Sequence, residues 1–264
     1  MGVIGDRIFA AGGIDPTGAA SRALFVYSAK GGWKLSPDSL PFPAACGNGG
    51  AVVEGKLYVW AGEPDVSHDF CEVSRTLAVY DPNKPNPPRW TILQAAPPEA
   101  SWACYFSMAA LGSTIHFVGG IGCGFEWNGY QHSYNTKTAQ WVPAPRLPLT
   151  YWPAAVAISG RLLTLGGWHG NEYLFFTARE VWSYDPEASG MDVLAPMLIG
   201  RTNHAATVLG RRVIVVGGIN DGTGEVTGSA EALTIVTGCD IHEPDGTAGT
   251  ATSWRLMEDG QITD

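Results

Sequence analysis

Five times along this chain an apolar run closes on a small residue followed by glycine. The runs are Ile8 to Gly13, Leu57 to Gly62, Thr114 to Gly120, Leu162 to Gly167 and Val213 to Gly218. Four of them end in two glycines, and the second ends in Ala61-Gly62. Between successive final glycines the spacing is 49, 58, 47 and 51 residues. Self-similarity at a period near fifty restricts the chain to repeat architectures, in which one supersecondary unit is copied and stacked. The runs are too short for long helices and are apolar continuously rather than alternately, as in strands covered on both faces.

Each period divides into four short strands. The first is a run of small and apolar residues, as in Ser107-Met108-Ala109-Ala110-Leu111 or Ala205-Ala206-Thr207-Val208-Leu209, and a polar turn such as Glu54-Gly55-Lys56 follows it. The glycine-ended run is the second strand. The third ends in tyrosine at Tyr27, Tyr80, Tyr134 and Tyr184, with Ile235 expected in that place in the fifth copy. The fourth opens with Trp33, Trp90, Trp141 and Trp254, with Met191 standing in once. Asp81-Pro82 and Asp185-Pro186 directly after two tyrosines are β-turn signals.

One four-stranded sheet cannot bury both its faces, but copies stacked about an axis can. The glycine pair, tyrosine and tryptophan in this order resemble the kelch repeat across essentially the whole chain. The expected fold is therefore an all-β, kelch-type β-propeller forming a single domain over 1–264, with five four-stranded blades at about 1–42, 43–98, 99–148, 149–198 and 199–264. Aligning Gly13 with Gly62 leaves only Val3-Ile4 to represent the inner strand of the first blade. Kelch propellers commonly have six or seven blades, so the resemblance implies a truncated or shortened ring.

Composition narrows the function classes. Hydrophobic residues are 45% and charged residues 16% of the chain, a balance that supports a packed core and opposes disorder. The net charge of −9 lacks the basic stripe needed for a phosphate backbone, so no nucleic-acid partner is expected. No apolar run reaches the length of a membrane span. The N-terminal residues lack the basic and apolar regions of a secretory signal, and the five cysteines form no CxxC, which together give the expectation of a cytoplasmic protein with reduced thiols.

Strand alternation places the segment leading into each first strand and the loop after each glycine pair on one rim. That rim is aromatic and polar, and it supplies the candidate binding residues: Trp102, Tyr105, Trp127, Tyr151, Trp152, Trp168, His169, Asn171, Arg201, Asn203, His204 and Asn220. Amphipathic rings with amide and guanidinium neighbours suit a protein hot spot or a stacked sugar face. Arg22, Arg75 and Arg179 each lie five residues before their tyrosine, a periodicity expected of a scaffold arginine that donates to loop carbonyls. His116 lies within an apolar strand and reads as an interior residue. His169 follows a glycine pair and reads as exposed. Asp65 to Cys71 gathers metal-ligand types on one loop, but a solvated loop is the simpler reading. Gly119-Gly120-Ile121-Gly122-Cys123-Gly124 follows a strand but opens no helix, so it fails as a dinucleotide fingerprint. No GxSxG nucleophile elbow is present.

The reading favoured by the sequence is a non-catalytic scaffold presenting this rim to a protein or peptide partner, with no cofactor and no metal. The kelch resemblance also implies an alternative, an enzyme acting on carbohydrate in the manner of galactose oxidase or a sialic-acid epimerase. Cys104, Tyr105, His169 and His204 supply suitable residue types for the first, and Arg201 and His204 for the second.

Overall fold

In the computed structural model every regular element among the described residues is a β-strand. The structure describes residues 1–45, 49–62, 74–96, 104–121, 131–144, 152–171, 174–188, 190–220, 224–235, 254–258 and 261–262. The chain divides into two compact units, Met1–Leu149 and Thr150–Asp264.

The first unit holds three antiparallel four-stranded sheets. They are β1 (Gly2–Ile4), β2 (Arg7–Ala11), β3 (Leu24–Ser28) and β4 (Gly32–Leu35); β5 (Gly50–Val53), β6 (Lys56–Gly62), β7 (Ser74–Tyr80) and β8 (Trp90–Ile92); and β9 (Cys104–Leu111), β10 (Thr114–Ile121), β11 (Gln131–Asn135) and β12 (Gln140–Ala144). In each, the strands lie side by side in chain order. The inner strand of the first sheet is three residues long, as the repeat alignment requires.

The second unit contains two further sheets and two hairpins. The fourth sheet is β13 (Ala154–Ile158), β14 (Arg161–Leu165), β17 (Val181–Asp185) and β18 (Gly190–Leu194). Its hairpin, β15 (Trp168–Asn171) with β16 (Leu174–Thr177), rises from the segment after Gly167. The fifth sheet is β19 (Ala205–Leu209), β20 (Arg212–Val216), β23 (Ala230–Thr234) and β24 (Trp254–Glu258), with β25 (Gln261–Ile262) added outside β24. Its hairpin is β21 (Ile219–Asn220) with β22 (Glu225–Val226). These are the five blades of an all-β propeller fold.

Register corrects one landmark. Tyr27, Tyr80, Tyr134 and Tyr184 pair with Ile8, Leu57, Ile115 and Leu162, each four residues before the pair of small residues that closes its strand. In the fifth blade the corresponding residue, Val213, pairs with Leu233. Leu233, not Ile235, therefore takes the tyrosine place, and it faces Trp254 as Tyr184 faces Met191. Spacing along the chain does not distinguish the two residues, because strand pairing sets the register.

The glycine pairs share one backbone shape. Gly12-Gly13, Gly119-Gly120, Gly166-Gly167 and Gly217-Gly218 all hold positive φ, with the second residue at 99° or 100° in every pair. Such angles are open to glycine and strained for other residues. The second blade has Ala61 at this point, and there the β6–β7 register shifts between Trp60 and Gly62.

Adjacent blades are joined the same way three times. Besides apolar packing, each junction has a polar link, an indole N–H donated to the segment that leaves the preceding blade. Trp90 Nε1 donates to the Asp38 carbonyl at 3.3 Å, Trp141 Nε1 to that of Gln94 at 3.1 Å and Trp254 Nε1 to that of Ala195 at 2.8 Å. Two residues beyond each acceptor, the amides of Leu40, Ala96 and Met197 donate to the carbonyls of Arg22, Arg75 and Arg179. Around these links lie three apolar cores. Phe9, Leu24, Leu57, Tyr80 and Trp90 fill the first, between the first two blades. Trp60, Leu77, Ile115, Phe117 and Tyr134 fill the second, and Leu163, Leu165, Val213, Leu233 and Trp254 join the last two blades. Burying a large side chain of this kind contributes about 1.5–3 kcal/mol.

The repeated arginines serve this frame. Arg22 Nη2 donates to the Pro41 carbonyl at 3.1 Å and Arg179 Nε to the Met197 carbonyl at 2.6 Å, both in the segment leaving their own blade. Arg75 contributes its backbone carbonyl to the same pattern.

Candidate functional site

The second unit brings together most of the candidate residues that the structure describes. Its centre is the segment Gly200 to His204, which crosses between the glycine pairs of the fourth and fifth blades. Gly167 N–H donates to the Arg201 carbonyl at 2.9 Å, and Thr202 and Ile219 exchange backbone bonds at 3.1 and 2.9 Å. The approach is close enough to exclude side chains. A Cβ on Gly166 would lie 2.6 Å from the Arg201 carbonyl oxygen, and one on Gly218 would lie 2.7 Å from that of Thr202.

Arg201 holds this segment in place. Its side chain is wholly buried, with Nη2 bonded to Glu231 Oε1 at 2.6 Å and Ser229 Oγ at 3.0 Å. Nη1 donates to the carbonyls of Gly217 and Ser229 at 2.7 and 3.2 Å. Glu231, equally buried, accepts the Leu198 and Ile199 amides at 2.7 and 3.1 Å. Two opposite charges removed from water are tolerable only with this degree of hydrogen bonding. Arg201, expected to bind a ligand, instead has its Nη1 and Nη2 donors committed to the fold.

His204 also turns inward. Both ring nitrogens are shut off from solvent, and burial pushes the imidazole pKa down to about 4, with the Arg201 charge adding to the effect and the Leu165 backbone opposing it. The ring is therefore neutral at ordinary pH and faces protein. His116 has the same character: burial takes its pKa to about 4, and its Nδ1 lies 2.9 Å from Ser133 Oγ.

The rim around this segment is aromatic. Trp152 and Trp168 meet edge to face, with ring centroids 5.1 Å apart and planes at 77°. His169 stacks on Phe176 across the β15–β16 hairpin at 5.5 Å and 9°, and Phe176 is exposed. His169 is half-buried in that hairpin, where the sequence suggested exposure. Asn203 is exposed, and Asn220 lies half-buried in β21 opposite Glu225.

Trp152 carries an unusual backbone. Its φ is 45°, and Asn203, the equivalent residue two places before the inner strand of the next blade, has φ 53°. Asparagine visits this region readily, whereas a bulky residue does so at a cost of order 1–2 kcal/mol. Strain of this sort persists where neighbours enforce it, and it concentrates at binding sites.

Asn171 and Tyr105 lie in β15 and β9, and only their backbone is described. Trp102, Trp127 and Tyr151 fall outside the described residues, as does the Asp65 to Cys71 loop. Phe176, Glu231 and Ser229 belong to this region but escape the sequence pattern. Glu231 has a legible signal, a carboxylate inside an apolar strand. Phe176 sits in the run Leu174-Phe175-Phe176-Thr177, which reads from sequence as part of a loop and forms a hairpin strand instead. A separate open groove of about 700 Å³ lies on the first two blades, against Arg7, Lys30, Lys34 and Arg89, and shares no residue with the aromatic rim.

Comparison with known proteins agrees with this architecture. No family model matches the chain. The chain is 28% identical over 234 residues to Kelch-like protein terF of Aspergillus terreus, covering 83% of this chain and 49% of that protein. It is 31% identical over 181 residues to the Kelch repeat and BTB domain-containing protein 12 of Homo sapiens, covering 62% of this chain and 28% of the relative. Kelch-like protein 26 of Danio rerio matches at 24% identity over 204 residues, covering 76% of this chain and 32% of that protein. These likenesses support a kelch-repeat β-propeller family for the chain. It spans about half the length of the first of these relatives and less of the others. The solved structure described as the structure of YjhT superposes with a TM-score of 0.74 over 96% of this chain and 82% of that one, at 12% identity, a likeness of fold alone. Among the described residues, no helix is long and apolar enough to cross a membrane.

Proposed function

We propose that this kelch propeller is a non-catalytic binding scaffold whose aromatic rim on the fourth and fifth blades holds a protein or peptide partner. The observation that carries the reading is Trp152, kept at positive φ with its ring against Trp168. A strained tryptophan at the mouth of a glycine-fixed frame is a pre-organised anchor, and rigid aromatic anchors dominate protein interfaces. The hairpin carrying Trp168, His169 and Phe176 extends the same surface. Kelch-type relatives of this chain are consistent with such use at the level of the fold, an analogy rather than a site comparison.

The carbohydrate-enzyme alternative draws less support from this rim. Its candidate base His204 has both nitrogens buried against protein, and Arg201 has no terminal donor to offer a substrate. A peptide-display selection on the purified chain tests the proposal. Selected peptides should bind the wild type and lose at least about tenfold in affinity to Trp168→Ala, about 1.4 kcal/mol. Peptides that bind both proteins equally would place the partner surface elsewhere and overturn the assignment of this rim.

A further inference from the structure

The groove of about 700 Å³ on the first two blades lies wholly within the first unit. Four of the chain's 16 lysines and arginines line it, Arg7, Lys30, Lys34 and Arg89, beside one lining carboxylate, Asp6. A chain of net charge −9 thus holds a locally positive groove.

Strand register shows where the missing carboxylates would be. Arg7 pairs with Ser28 and Ser28 with Gly32, while Phe9 pairs with Val26 and Val26 with Lys34. Paired residues share a sheet face, as do residues two apart on one strand, so Arg7, Ser28 and Lys34 stand on one face with Phe9 and Val26. In the fourth blade the same three places hold Arg161, Asp185 and Asp192, and both aspartates bind Arg161, Asp185 at 3.5 Å. In the second blade Lys56 and Asp81, at the first two of these places, pair at 3.3 Å. The first blade has a hydroxyl and a second cation where the fourth has carboxylates.

The charges of this groove are available. Arg7 lies 3.9 Å from Asp6, but both side chains are exposed, and such a pair contributes little. Lys30 and Lys34 are exposed and have no ion-pair partner among the described residues. Arg89 is fixed on the second blade, with Nη1 donating to both Asp38 oxygens and Nε to the Lys84 carbonyl, which leaves Nη2 outside these bonds. Ser28 Oγ accepts the Gly31 amide at 3.1 Å and keeps its own proton to donate. Gly32, opposite Ser28, leaves a notch, since a Cβ there would meet no atom within 4 Å.

We infer that this groove binds a small organic phosphate. Its dianion sits among Arg7, Ser28, Lys30 and Lys34, where the fourth blade supplies its own carboxylates, and its organic body lies against Val26 and Phe9. Lysine serves phosphate as a point charge, and the volume falls within the range of small-molecule sites. The groove is distinct from the aromatic rim and stands or falls separately from the proposed function.

NMR titration of the isotope-labelled full chain with phenyl phosphate tests the inference, at about pH 7.5 so that the phosphate is doubly charged. The amides of Gly31 and Gly32 should shift saturably, with half-saturation below about 1 mM, and sodium chloride at matched ionic strength should not reproduce the effect. Inorganic phosphate should bind at least about threefold more weakly, because it lacks the apolar body. Ser28→Asp and Lys34→Asp install the residues that the fourth blade uses, so they should weaken phenyl phosphate at least about tenfold without lowering the thermal melt. Lys30→Gln, in the exposed β3–β4 turn, should weaken it as well. No saturable shift, chloride acting as phosphate does, inorganic phosphate binding as tightly as phenyl phosphate, or variants binding as the wild type does would overturn it.

Discussion

Arg201 and Glu231 meet at 2.6 Å in the interior of the second unit, and neither side chain is exposed to solvent. The pair ties the segment leading into the fifth blade to the third strand of that blade. Removing one partner leaves an uncompensated buried charge, which costs about 3–5 kcal/mol. Arg201→Ala should therefore lower stability by that amount in urea unfolding, with the m-value unchanged. A loss below about 1 kcal/mol would show that the ion pair is not formed as described.

Gly166 and Ala61 occupy the same repeat position with opposite tolerances. Gly166 has φ 55°, and a Cβ there would approach the Arg201 carbonyl oxygen at 2.6 Å. Gly166→Ala should destabilise by about 2–4 kcal/mol through strain and collision. Ala61→Gly removes a side chain from a backbone that does not need glycine, and should cost about 1 kcal/mol or less. Thermal unfolding of the two variants side by side checks the contrast.

Acid should weaken the fold through His116 and His204. Each has a folded pKa lowered to about 4 by burial, below the ordinary value of 6.5. The unfolded chain takes up their protons first as pH falls. The stability they allow is fully present above pH 6.5 and is lost as pH drops toward about 4, on the order of 3 kcal/mol for each group. Unfolding free energies measured from pH 7 to pH 4 should fall, and His204→Asn should flatten part of that slope. An unchanged slope in the variant would show that His204 titrates normally.

Asp38 joins the first two blades through polar contacts as well as packing. It accepts from Tyr80 Oη at 3.0 Å and from Arg89 Nη1 at 2.9 Å, and its carbonyl accepts from Trp90. Asp38→Ala leaves Tyr80 and Arg89 without that acceptor and should cost about 2–4 kcal/mol. Trp90→Phe, which removes only the indole donor and some area, should cost less. Equilibrium unfolding of both variants orders them.

Much of the fold is legible from the chain because the repeat is written in backbone requirements. Positive φ demands glycine, so Gly12-Gly13 and Gly217-Gly218 mark the same place without any knowledge of their neighbours. Tyr27 with Trp33, Tyr80 with Trp90 and Tyr134 with Trp141 form ring contacts at 5.3, 5.0 and 5.1 Å, and a pair needed for packing recurs in every blade that keeps it. The fifth blade blurs the pattern because a leucine fills the tyrosine place, and only strand pairing distinguishes Leu233 from Ile235.

The site is harder to read. Arg201 and Asn203 are near neighbours in sequence with opposite surroundings, one wholly buried and one exposed, and residue type does not reveal which donor is already satisfied. The role of Arg201 depends on Glu231, thirty residues away in an apolar strand. In sequence, Trp152 is one aromatic among several. Its distinguishing feature, a φ of 45°, is a backbone property that no side-chain pattern encodes.

The most direct test is Trp152→Asn, assayed together for stability and for binding of a display-selected peptide. Asparagine is the residue that the fifth blade uses at this position, and it relieves the strain at φ 45° while removing the ring. If Trp152 is kept as an anchor, stability should stay within about 1 kcal/mol of the wild type while peptide affinity falls at least about tenfold. A loss of about 3 kcal/mol or more with affinity unchanged would make Trp152 an ordinary packing residue and contradict the assignment of the rim as a binding surface.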